Sequence, residues 1–137
     1  MALLDRGVNY SFLMLNPDSE IMEIYSRLRV EEDLKMRALE SLSRLKAFAH
    51  EARDKKGKFS VFLYSNLPYF ACLSIDRKGL EGLMMFSPYM PHDNVVKIQR
   101  ADSPHYLFTK SHGTELFEQI SNCIDALFED SIEVKLI

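Results

Sequence analysis

The sequence predicts an α/β domain, a single mixed sheet flanked by helices in the order β-α(long)-β-β-β-β-β-α. Three observations carry that prediction. Residues 59–89, FSVFLYSNLPYFACLSIDRKGLEGLMMFSPY, read as three apolar strands separated by turn-forming residues. Leu34, Ala38, Leu42, Leu45, Ala49 and Ala52 recur at three- and four-residue steps, which defines a long amphipathic helix. A second such stripe, Leu116, Ile120, Cys123, Ile124 and Leu127, closes the chain. A length of 137 residues suits one domain, and 47% hydrophobic with 27% charged residues places the chain among globular proteins.

In chain order, residues 1–8 read as the last turn of a helix stopped by Gly7 as its C-terminal cap. A helix with so little length of its own is expected to be the remnant of a longer one, so the domain is read as excised from, or evolved out of, a longer protein. Residues 8–15 (VNYSFLML) form a strand whose apolar side chains fall on both faces, as in a strand covered on both sides. Asn16-Pro17-Asp18-Ser19 ends it, and Asp18 or Ser19 caps the helix that follows. That helix, 20–29, carries Ile21, Ile24 and Leu28 on one face. Glu31-Glu32-Asp33 opens the long helix, and Arg53, Lys55, Lys56 and Gly57 close it. This basic cluster is read as complement to the helix dipole and as solvated surface.

Strands at 59–64, 69–75 and 82–86 come next, with Asp76-Arg77-Lys78-Gly79 as the turn between the last two, and these too read as covered on both faces. A strand at 95–99, a short strand at 105–109 and the final helix follow, and 131–137 is a strand or a tail.

A net charge of -3 and a pI near 5.8 oppose a dedicated nucleic-acid binder, whose affinity rests on neutralising phosphates. No run of about 20 apolar residues predicts a membrane span, and no signal peptide is visible, so a cytoplasmic protein is expected. Cys72 and Cys123 sit in apolar runs and are expected to be buried, reduced thiols.

His50, His92, His105 and His112 form no metal-ligand spacing, the five glycines form no phosphate loop, and no nucleophile elbow occurs. Neither a metal nor a cofactor is therefore expected. What remains is a set of polar residues at loop positions, where binding sites on rigid scaffolds concentrate. From it the expected ligand contacts are Ser19, Asn66, Asp76, Ser87, Arg100 and His105. Ser19 opens a helix after a strand, Arg100 supplies positive charge and His105 a switchable one. Together they suit a small polar or phosphorylated ligand.

The order of elements, with a hairpin at Asp76, resembles one half of the phospholipase D superfamily. The likeness runs through RGVNYSFLMLNPDSE, YFACLSID with FSPY after it, and RADSPHYLF before ELFEQISNCIDALFED. That family carries His-x-Lys-x-x-x-x-Asp on one strand and a Gly-Ser turn after the next. Placing its Asp on Asp76 puts the His on Tyr69 and the Lys on Ala71, while Ser87 falls in the Gly-Ser turn with Phe86 in place of the Gly. The nucleophile and the phosphate-binding Lys are both replaced, so the resemblance is to degenerate, non-catalytic members. Such members are attached to bacterial helix-turn-helix regulators and to signalling or defence proteins. The expected function is a ligand-sensing or protein-interaction domain that regulates an attached or partner module, with a protein partner or self-association. The alternatives are a phosphodiesterase or nuclease using His105 with Asp76, and a structural dimerisation domain.

Overall fold

A computed structural model describes residues 1–29, 33–67, 70–88 and 104–135. The fold is mixed α/β and divides into two compact units, Met1–Leu67 with Leu127–Ile137, and Pro68–Ala126. In place of the single sheet expected from the sequence, the described strands form two three-stranded sheets, ordered β1-β2-β6 and β3-β4-β5. The reason lies in pairing. β3 folds back on its sequence neighbour β4, and β6 takes the edge of β2 that a continuous sheet would have given to another strand. The expected strand at 95–99 lies outside the described residues.

The first unit starts with α1 (Ala2–Asp5). Gly7 follows it at φ +88°, a left-handed conformation that only glycine adopts without steric cost, so the expected cap is present. β1 (Tyr10–Leu15) and β2 (Phe59–Tyr64) run parallel, with Tyr10 opposite Phe59 and Leu15 opposite Tyr64. Parallel pairing needs a crossover, supplied here by α2 (Glu20–Arg29) and α3 (Leu34–Ala52). On α2 Met22 is buried, while Ile24, a member of the expected stripe, is 44% exposed. The expected stripe of α3 is half-buried or buried along its whole length. Asp33, at the N-cap of α3, makes no capping bond. Its carboxylate instead grips Arg37 Nε and Nη2 at 3.0 and 3.1 Å, and that hydrogen bonding holds it below the usual Asp range.

Leu4, Leu15, Met22, Ala49, Ala52 and Val61 form this unit's core. Phe48 meets Phe59 edge to face at 4.9 Å, and Phe62 meets Phe128 at 5.1 Å. β6 (Ile132–Glu133) adds two antiparallel residues beside Phe62 and Leu63. Gly57 closes the turn between α3 and β2. A Cβ there would stand 2.0 Å from the Val8 carbonyl oxygen, so no other residue fits, and its N–H donates to the Leu4 carbonyl at 2.7 Å.

The second unit is an antiparallel meander of β3 (Phe70–Ile75), β4 (Leu83–Pro88) and β5 (Tyr106–Thr109), followed by α4 (Thr114–Glu129), whose last three residues belong to the first unit. The turn after β3 places Asp76 at φ +48°, and the Gly79 N–H donates to the Asp76 carbonyl at 2.7 Å. Short polar side chains tolerate that conformation best after glycine.

The buried residues of α4 are Phe117, Ile120, Ser121 and Ile124. This stripe differs from the expected one: Leu116 is 45% exposed, and Cys123 is exposed where a buried thiol was expected. Phe117 fixes the rotation, because its ring lies where a side chain on Gly82 would be, 2.9 Å from that position.

Candidate functional site

The expected ligand contacts fall into separate groups. Ser19 and Asn66 belong to the first unit, where both follow the carboxyl ends of the parallel strands. Ser19 is occupied as a helix cap. Its hydroxyl donates to the Asn16 carbonyl at 2.7 Å and accepts from the Met22 N–H at 3.3 Å. Asn66 is exposed. Asp76, Ser87 and His105 belong to the second unit. Arg100 lies outside the described residues, as does Tyr69.

The hairpin does not bring Asp76 and Ser87 to one edge. Asp76 follows Ile75, which pairs with Leu83, whereas Ser87 pairs with Ala71 at the other end of the ladder. Five residues at about 3.3 Å each put them roughly 16 Å apart along the strands. His105 precedes Tyr106, the partner of Phe86, so it lies at the Ser87 end and away from Asp76. Ser87 is buried at 5% exposure, and its hydroxyl has no hydrogen-bond partner among the described residues.

The turn carries its chemistry on its next two residues. Arg77 Nη1 donates to the Ser121 carbonyl (3.0 Å), the Ser121 hydroxyl (2.9 Å) and Asp125 Oδ1 (2.7 Å), and Lys78 Nζ bonds Asp125 Oδ2. Hydrogen bonds from Lys78 and then Arg77 hold the Asp125 carboxyl below the usual range. These bonds make the cluster a clamp between turn and helix.

Alternation along the second sheet separates two faces. One carries Phe70, Phe86, Phe108 and Tyr106 in successive ring contacts, with Met84 fully buried among the strands. The other carries Leu73, Met85 and Leu107 in one cross-strand row, with Ile75 and Leu83 in the next. On this second face Leu73 is 58%, Ile75 54%, Met85 43% and Leu107 68% exposed. These strands were expected to be covered on both sides; among the described residues Leu73, Ile75, Met85 and Leu107 stand uncovered on this face, while Ser87 at its far end is buried. The apolar run that signalled double coverage is real, but a sequence pattern does not distinguish cover by the same chain from cover by another.

Among the described residues no three His, Cys, Asp or Glu side chains gather as metal ligands, and no helix is long and apolar enough to cross a membrane. No protein-family model, curated protein or solved structure matches the chain.

Proposed function

We propose that the protein is a non-catalytic interaction domain that joins two copies of itself through the open face of the β3-β4-β5 sheet, and so regulates an attached or partner module. The observation that carries this is the face itself. Leu73, Ile75, Met85 and Leu107 offer on the order of 400 Å² of contiguous apolar surface, a size at which patches are commonly functional. A standard interface covers about 800 Å² per partner, a little over half of it apolar, so the patch supplies the apolar centre that a stable dimer needs. Ala71, Leu83 and Thr109 on the same face are half-buried and uncharged, while Ser87, at its far end, is buried within the chain and stands outside the contact. Two copies meeting here bury no charge, and a two-fold axis sets each row of Leu73, Met85 and Leu107 against its equivalent.

The non-catalytic reading keeps the likeness to degenerate phospholipase D-type domains, with Tyr69 and Ala71 at the positions of the catalytic His and Lys. The separation of Asp76 from both Ser87 and His105 supports it, since proton transfer needs partners within hydrogen-bond reach.

Sedimentation equilibrium tests the proposal. The wild type is expected to approach twice its chain mass of 15.9 kDa. The double variant Leu73→Lys/Leu107→Lys is expected to stay at the monomer mass with an unchanged circular dichroism spectrum, because both side chains are exposed in the single chain. A wild type that remains monomeric up to about 100 μM, where any useful affinity shows, overturns the proposal.

A further inference from the structure

The first unit carries an open groove of about 700 Å³ where α3 ends and β2 begins, its charged lining mostly exposed. Arg53, Lys55, Lys56, Lys58 and Lys135 line it together with the single carboxylate of Glu133. Ala49, Ala52, Phe59 and Val134 supply its apolar wall. The volume is typical of a small-molecule site, and an apolar wall with a few charged groups is the usual composition of one.

Dipole complement does not account for these charges. The C-terminus of a helix carries about half a negative charge, which one cation satisfies. Glu133 pairs with Lys58 at 3.6 Å, Asp5 with Lys55 at 2.8 Å and Asp54 with Arg53 at 3.5 Å. Five cations against these three carboxylates leave two positive charges, more than the helix end accounts for, on a chain whose net charge is -3. Lys56 and Lys135 are the surplus: neither has an ion-pair partner among the described residues. The backbone N–H groups of Gly57 and Lys58 are already engaged, by the Leu4 carbonyl and Asn9 Oδ1, so recognition of an anion here falls to side chains.

From this arrangement we infer that the groove binds a phosphate monoester with an apolar or planar body. A monoester carries close to two negative charges near neutrality, and Lys56 and Lys135 are the two cations of the groove without an ion-pair partner among the described residues. Lys56 and Lys135 act as point charges on the phosphate, Arg53, which already contacts Asp54 and His50, adds to the positive field, and the organic body lies along Phe59 and Val134. The site is independent of the self-association reading, since every lining residue belongs to the first unit.

The test is titration at low salt with adenosine monophosphate, guanosine monophosphate, phenyl phosphate and glucose 6-phosphate, with inorganic phosphate and adenosine as part-ligands. At least one monoester is expected to bind more tightly than inorganic phosphate, and adenosine not at all. The variant Lys56→Gln/Lys135→Gln, which breaks no ion pair among the described residues, is expected to weaken that binding about tenfold while its melting temperature stays unchanged. Added salt is expected to weaken binding to the wild type more than to the variant. No binding by any monoester, or equal binding by wild type and variant, overturns the inference. So does tighter binding of a short DNA oligonucleotide than of every monoester, which marks a polyanion surface instead.

Discussion

Single residues divide into those whose role can be read from type and neighbours and those whose role depends on distant contacts. Gly7 and Ser19 are of the first kind, because caps are local, and both stand where local chemistry places them. Ser87 and the cysteines are of the second kind. The Ser87 hydroxyl is buried with no partner among the described residues, a state that costs about 1–3 kcal/mol. Ser87→Ala is therefore expected to raise stability by about 1 kcal/mol, seen as a higher urea midpoint at unchanged slope. A loss of that size would show that the hydroxyl is bonded after all. The two thiols look alike in sequence and differ in structure. Cys123 is exposed, whereas Cys72 is half-buried, and burial pushes its thiol up from 9.0 to about 11 against a weaker opposing pull from Arg77. Two pH units leave Cys72 about 100-fold less thiolate than an ordinary cysteine. Labelling is expected in two phases, with Cys123→Ser removing the fast one; equal rates for both thiols would contradict the burial described.

At the scale of elements, α3 was legible and α4 only partly so. The α3 stripe is long, regular and built of Leu and Ala, so periodicity alone finds its inner face. On α4 the apolar residues are dense enough to draw two stripes, and the choice between them is made by Phe117 against Gly82 and by the Arg77 clamp. Neither contact leaves a trace in the local sequence. The clamp has a pH signature. The Asp125 carboxyl is held below its ordinary value by Lys78 and Arg77, so its contribution is present at pH values above the unfolded-state pKa and is lost as the pH falls through the folded one. Asp125→Asn is expected to lower the melting temperature at pH 7 and to converge with the wild type at pH values where both side chains are uncharged. A difference that persists unchanged into acid would mean that Asp125 acts by packing rather than by charge.

For the molecule as a whole, the α/β class and the order of the described elements follow from periodicity and turn residues, but the number of sheets does not. β2 and β3 are equally apolar, and which strand takes which edge is decided by pairings across the chain. The same limit hid both surfaces of interest. Among the described residues, four apolar side chains of the second sheet stand uncovered where the strands read as doubly covered, and Lys135, from the other end of the chain, lines a groove with the basic helix end. The pairing of β2 with β6 also has a consequence in time. Phe62 and Leu63 wait for Glu133 and Ile132, and at roughly 5–20 residues per second a ribosome needs about 4–14 s to make the intervening chain. Throughout that interval the nascent first unit holds a half-finished sheet with the β2 edge bare, during which strands from other chains compete for it. The second unit's meander, whose strands meet their neighbours soon after synthesis, completes its own pairing while the first unit is still waiting.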